Sequence, residues 1–552
     1  MVNIDTTRTA LSPDVYPQTV STSLAPKRHL RRSNQDLKTD QIYRFIMGED
    51  CQITPLEEEE KNDLQDAFMT LLLQNKKFPL SLSKLVEEFE STNALKEKHI
   101  FHIAEGGQVE WSSETARLDR TFRLAVYLQM HQEEQDVWIS TGTNIDDTED
   151  EFLQLMAWDS KNQAFNFYQR NVAWIWSGNS HHAIFPNTRG KGPFSGHVNG
   201  SPVMKELEAP WVHWHSSEAE ISANIFSAED SFPKSSFFND RKKADNFEKI
   251  VKAGISRWNA ARLTKPEHLK PLFLFRQILD NTTINLRSTK NESEGIEDED
   301  TVRLPFTFFL NTQAFSALGL NFPIKAPEVK GGLYKECLEE LEFKLQAEDF
   351  TKKGDTHFAL VAPEPAYEDY DLLGKLIAQK IIDSRLAACL LMVDFPNSIY
   401  SNSRKKLLDY VTDDLEQLAN NIVNSEDAKK PHTPEAEFTQ YWEQSKEEGW
   451  KQLFTQRIKQ YFIKLKEQME TKEGFNGLIR LLEYRKALFR HQPIYEFDLT
   501  LPFTNISNQV SPLKMNEEGQ VVTIDACFHL EINLANSSMH VEQQLTLSGG
   551  ND

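Results

Sequence analysis

Residues 152–177 read FLQLMAWDSKNQAFNFYQRNVAWIWS. Apolar runs occupy 152–158, 165–169 and 172–177, with aromatics at every second position in the latter two, and the turn Asp159-Ser160-Lys161-Asn162 and the short link Arg170-Asn171 separate the three runs. A period of two is that of a strand with one face in a core, so the stretch predicts a β-meander. Phe165 and Phe167 fall on one face of their strand, and Trp174 and Trp176 on one face of theirs, which places large aromatics in a sheet core. The same period upstream predicts strands over 122–130 and 137–140, joined to the meander across an acidic loop at 144–151.

Toward the N-terminus the period lengthens. Leu64, Phe68, Leu71 and Leu72 within 57–76, and Leu85, Phe89 and Leu95 within 80–98, are spaced for helices and predict a helical hairpin. Residues 1–40 are rich in Thr, Ser and Pro and are expected to be a disordered tail. Its basic knot, Lys27, Arg28, His29, Arg31 and Arg32, is a candidate arm for a protein partner.

Toward the C-terminus, 178–236 carry Gly, Pro, Ser and His without periodicity and are expected to form a long ordered loop region. A helix is predicted at 240–263, an exposed break at 291–300, a strand at 304–310 and a helix at 333–347. Strand 358–361, helix 367–382, strand 388–393 and helix 403–423 have the order and spacing of a βαβ unit. A charged connection at 425–434 precedes long helices at 435–472 and 474–491, and β segments at 494–501, 521–533 and 540–547. The expected class is α+β: a mainly antiparallel β region with a helical N-terminal hairpin, plus a C-terminal α/β and helical part. The expected divisions are 1–40, 41–120, 121–300, 301–425 and 426–552.

The 552 residues include 83 acidic and 61 basic side chains, a formal net charge of −22, which argues against general nucleic-acid binding. Cys51, Cys337, Cys389 and Cys527 are scattered, so neither a disulfide framework nor a Cys-Cys zinc knuckle is expected. No run approaches a bilayer span and the N-terminus has no secretory core, so a soluble, cytoplasmic protein without a transmembrane segment is expected.

The chemistry-bearing residues concentrate at 181–215, which hold His181, His182, His197, His213 and His215. On a strand, His213 and His215 would project from one face and could share a divalent metal, with His197 or Glu220 as a third ligand and Glu218 and Glu206 as further acids nearby. The pattern His213-x-His215-x4-Glu220 resembles the first metal motif of cupins, and the resemblance implies two His and a Glu on a metal inside a small β-barrel. It stops at Glu220: the flanking glycines and a second motif are missing, and the family is not assigned.

Arg189 and Lys191 lie in a Gly-rich loop that could hold an anionic substrate group. Trp211 and Trp214 could wall an apolar pocket. Glu364 and Asp394 follow predicted parallel strands, where α/β sheets place ligands, and are a candidate acid–base pair. Hydrolase-elbow, zincin, c-type haem and kinase motifs are absent.

Three functions follow as expectations. The first is a metal- or haem-dependent enzyme, an oxidoreductase on a hydrophobic organic substrate with an anionic group, using iron, zinc or haem. The second is a non-catalytic acidic binding or scaffold protein. The third is a cofactor-free enzyme using Glu364 and Asp394.

Overall fold

The structure, a computed structural model, describes residues 37–104, 111–113, 122–132, 135–264, 269–289, 295–322, 324–347, 350–353, 360–446, 449–490 and 512–524. The basic knot at 27–32, Cys527 and the predicted strands at 494–501 and 540–547 lie outside the described residues.

Eight strands form one sheet: β1 (Ile42–Arg44), β2 (Thr54–Pro55), β3 (Leu95–Ala104), β4 (Phe122–Met130), β5 (Asp136–Thr141), β6 (Leu153–Asp159), β7 (Ala164–Arg170) and β8 (Trp174–Asn179). Their spatial order is β2-β1-β8-β7-β6-β5-β4-β3, antiparallel throughout except for the parallel pair β1–β8. The meander over 152–177 is therefore present, in register Met156 opposite Phe167 and Tyr168 opposite Trp176.

The alternation decides which core each side chain enters. Leu124, Val126, Leu128, Leu155, Tyr168, Trp174 and Trp176 enter one core, where they meet Phe68 and the helix α1 (Leu82–Ser91). Ser81 caps that helix, and its stripe Leu82, Leu85, Val86 and Phe89 is buried. Phe101, Trp138, Trp158, Phe165 and Phe167 enter the opposite core. There they pack on α2 (Ala244–Ala261), whose Phe247, Val251, Ile255 and Trp258 recur at helical spacing. Gly254 lets that helix approach, since a Cβ there would stand 2.8 Å from Pro202 and 3.2 Å from Trp138.

The predicted N-terminal helical hairpin is corrected. Helix occurs in short pieces, Glu58–Asp63, Ala67–Leu71 and α1, and residues 95–98 belong to the edge strand β3. Buried Asp66 accepts the Met69 amide and starts a new helix where a continuous one was expected.

From residue 263 onward a second lobe forms around one large apolar core that runs from Leu263 to Met515. It contains α3 (Pro271–Leu279), β9 (Ile284–Ser288), β10 (Thr301–Arg303), β11 (Glu328–Lys330), α4 (Gly331–Glu340), β12 (Lys344–Ala347), β13 (Phe350–Lys353), β14 (Val361–Pro365), α5 (Tyr367–Ala378), α6 (Ser384–Met392), α7 (Pro434–Gln444), α8 (Trp450–Met469), α9 (Lys472–Arg490), β15 (Leu513–Met515) and β16 (Val521–Thr523). These strands pair only in antiparallel twos: β10–β11, β12–β13, β14–β9 and β15–β16.

The βαβ expectation is thus overturned. Residues 388–393 lie in helix α6 and its cap, and β14 pairs antiparallel with β9. The cause is burial on every side: Leu386 through Met392 are all buried, so the helix carries no polar stripe to reveal its period. Residues 304–310 hold a short 3-10 turn in place of a strand, and the helix expected at 333–347 ends at Glu340 before β12. The helix expected at 403–423 breaks into Asn402–Lys406, two 3-10 turns and Leu418–Val423. The helix expected at 435–472 breaks after Gln444 and restarts beyond Gly449, whose φ of +94° suits glycine. No helix among the described residues is long and apolar enough to cross a membrane.

Candidate functional site

The histidine segment folds as turns between the sheet and α2, so His213 and His215 are not strand neighbours on one face. Trp214 makes a single bridge to Ile103, while the Trp214 amide donates back to Trp211. His213 points inward to Glu206: its amide donates to Oε2 at 2.9 Å and its Nε2 lies 3.2 Å from Oε1. Both residues are sealed, and Glu206 holds a left-handed φ of +60°. Burial pushes the Glu206 carboxyl well above its ordinary value and His213 down to about 3, so both are driven to their neutral forms.

His215 faces elsewhere. Its Nδ1 accepts the Ile221 amide at 3.2 Å, and burial with Arg241 nearby lowers it to about 4, Glu220 opposing. His197 Nδ1 is 2.8 Å from the Ser201 carbonyl and its ring packs 5.2 Å from Phe167. The expected ligand set His197, His213, His215 and Glu220 therefore does not converge, and among the described residues no group of three or more His, Cys, Asp or Glu is placed to hold a metal ion. Trp211 and Trp214 also have structural partners: Trp211 Nε1 donates to Glu248 at 3.1 Å, and Trp214 Nε1 to the Lys205 carbonyl at 3.0 Å.

Glu364 and Asp394 occupy different networks. Glu364 lies in β14 opposite Asn285, accepts that residue's amide at 2.7 Å and the Thr307 hydroxyl, and is pushed up by burial with Arg287 opposing. It lines a small crevice with Glu208, Gln313, Tyr367 and Tyr370. Asp394 follows a helix, at φ +52°, and accepts from Asn397 at 2.8 Å and Ser401 at 2.6 Å. No strand end presents both acids to one ligand.

The junction of the two lobes is a buried polar layer. Lys205 Nζ donates to the Ile284 carbonyl at 2.7 Å, and the Leu207 amide to Asn285 at 2.7 Å. Glu368, in the first turn of α5, accepts from Asn199 at 2.6 Å and from Ser201 and Thr283. Buried Arg262, at the end of α2, donates to Gln277 of α3 at 2.6 Å, and its Nε has no hydrogen-bond partner among the described residues. Burial lowers Arg262 to about 10 while Glu368, Asp369 and Asp371 pull it up.

Near Arg262, whose charge it disfavours, lies Arg189. Its amide donates to the Phe185 carbonyl at 2.9 Å and the Lys191 amide to Thr188 at 3.1 Å, so 185–191 is a compact turn. The guanidinium lies 5.7 Å from the centre of the Phe273 ring of α3. Burial and then the neighbouring Arg276 push it down to about 10, and Asp280 only partly opposes them. Asp280 is itself engaged by Lys405 at 3.0 Å. Among the described residues, neither the Arg189 nor the Arg276 guanidinium has a hydrogen bond or an ion pair. Lys191 sits at the exposed rim, against Gly48.

Like charges close to each other with only a partial counter-charge are costly unless an anion joins them, and guanidinium geometry suits a carboxylate or phosphate. Sequence reading found Arg189 and Lys191 but not Arg262, Arg276, Asp280 or Lys405, because they are remote in the chain. One signal was available, since Arg276 is a charged residue within the apolar helix PLFLFRQIL. No family model, no curated protein and no solved structure matches this chain.

Proposed function

We propose that this protein recognises an organic anion at the junction of its two lobes, with Arg189 and Arg276 as the binding cations and Lys191 at the rim. The observation that carries the reading is a pair of half-buried guanidiniums without a hydrogen bond or ion pair among the described residues, in a chain of net charge −22. Most of this acidic surface repels anions, so uncompensated positive charge here is selective in position. An oxyanion would replace mutual repulsion by charge-assisted hydrogen bonds, strengthened by the partial desolvation of Arg189. The reading keeps the anionic group of the first expectation and joins it to the second, a binding protein. The metal or haem oxidoreductase gains no support from the separated His197, His213, His215 and Glu220, nor the acid–base enzyme from the separated Glu364 and Asp394.

Calorimetric titration with phosphate, sulfate and carboxylates at low ionic strength tests the proposal. Saturable binding of an oxyanion is expected, weakened about tenfold or more in the double variant R189Q/R276Q. Absence of binding by any of them, or binding untouched by the double substitution, overturns it.

A further inference from the structure

Both segments that bring guanidiniums to the junction also expose large apolar side chains. Phe185, whose carbonyl holds the Arg189 amide, is 38% exposed, and Leu272, on the helix that carries Phe273 and Arg276, is 40% exposed. Met47, 40% exposed, lies on the loop that meets the far side of the turn, with its Cβ 3.5 Å from where a Cβ on Gly192 would stand. Among the described residues the exposed large hydrophobics are Met47, Trp111, Val172, Phe185, Leu272, Leu453 and Ile463, so three of the seven belong to the segments around one pair of unpartnered cations. Single exposed apolar residues need no explanation, but their coincidence with uncompensated charge does.

We infer that the ligand is an amphipathic organic anion, with its oxyanion head on Arg189 and Arg276 and its apolar body over Phe185 and Leu272. This inference rests on the anion-binding reading above. A wholly polar anion satisfies the guanidiniums and leaves the apolar side chains in water; an amphiphile satisfies both, because each buried CH2 adds to affinity. Arg189 stands between the two parts, its guanidinium 5.7 Å from the centre of the Phe273 ring and its N–H groups without a hydrogen bond among the described residues. Exposed Lys191 adds positive charge, and Lys405 draws Asp280 into an ion pair at 3.0 Å.

The test compares inorganic phosphate with octyl phosphate and acetate with octanoate, each below its micellar concentration, by calorimetry on the full chain. The octyl compound of at least one pair is expected to bind about tenfold or more tightly than its short counterpart, and the pair that responds identifies the head as phosphate or carboxylate. The double variant F185S/L272S, at exposed positions that leave the fold intact by its melting curve, removes that advantage while binding of the short anion persists. R189Q/R276Q weakens both members. Equal affinity of short and octyl anions, with dependence on the two arginines retained, overturns the amphiphile and leaves the anion site standing. Binding indifferent to the arginines overturns the anion site itself. Adsorption to anionic lipid vesicles without affinity for monomeric amphiphiles also overturns the inference, in favour of a membrane surface.

Discussion

His213 with Glu206, and Arg189 with Arg276, belong to the same face of the sheet lobe or the lobe packed on it, and they behave oppositely. The first pair is sealed, joined by a hydrogen bond from the His213 amide to Glu206, and driven to neutral forms by burial. The second is half-open, stays charged, and has no hydrogen bond or ion pair to an acid among the described residues, Asp280 opposing the repulsion only partly. Residue type points to the histidines and polar satisfaction points to the arginines. The difference teaches that a cluster of ligating side chains is no site when each has found a partner inside the fold, whereas unspent hydrogen-bonding and charge mark where a ligand is missing.

If the sealed pair is structural, its removal costs stability and not binding. E206A leaves the His213 amide without an acceptor in a buried place and should cost about 3 kcal/mol in urea denaturation, with anion affinity unchanged. Lost affinity at full stability would break the comparison.

A second way to sharpen it is pH. His102 on β3 abuts the segment, its Nε2 2.8 Å from the Phe237 carbonyl, and burial lowers it to about 3. Its folded pKa lies below the unfolded value, so its contribution is full above about 6.5 and is lost as pH falls toward about 3. Arg241 and His215 face it and act in the same direction. By pH 5 the loss should reach about 2 kcal/mol, and H102Q should flatten that slope even if it lowers stability at neutral pH.

At the open pair the sign reverses. R276Q removes repulsion from Arg189 and should stabilise the ligand-free protein by about 0.5 kcal/mol while lowering anion affinity. A drop in both would mean that the arginines are structural after all. The smallest effect is expected at the rim, where K191A should change anion affinity by about twofold, and less at high salt.

The sheet lobe was legible because large aromatics recur at every second residue, Phe165 and Phe167 entering one core and Trp174 and Trp176 the other. β3 was not: Lys96, Glu97 and Lys98 begin it with exposed charges, and Leu95 completed a helical stripe from the preceding segment. In the second lobe α6 is buried on all sides and α5 follows an antiparallel ribbon, so apolar runs gave length without period. At the site, the Gly-rich turn with Arg189 and Lys191 was visible locally. Arg276 and Arg262 were not, because they reach the turn through the docking of α2 and α3.

The sequence alone determined an acidic α+β protein, the five-strand succession from 122 to 177, and the residue types able to hold an anion or a metal, since these depend on composition and on periods read along a single element. Tertiary structure alone decided that His213 turns to Glu206 and not to His215, that Glu364 and Asp394 stay apart, and that Arg189 comes near Arg276 with only partial compensation from Asp280. The physical reason is that partner choice is made between elements distant in the chain, where packing and desolvation, which no local pattern records, select which charges are paired and which are left open.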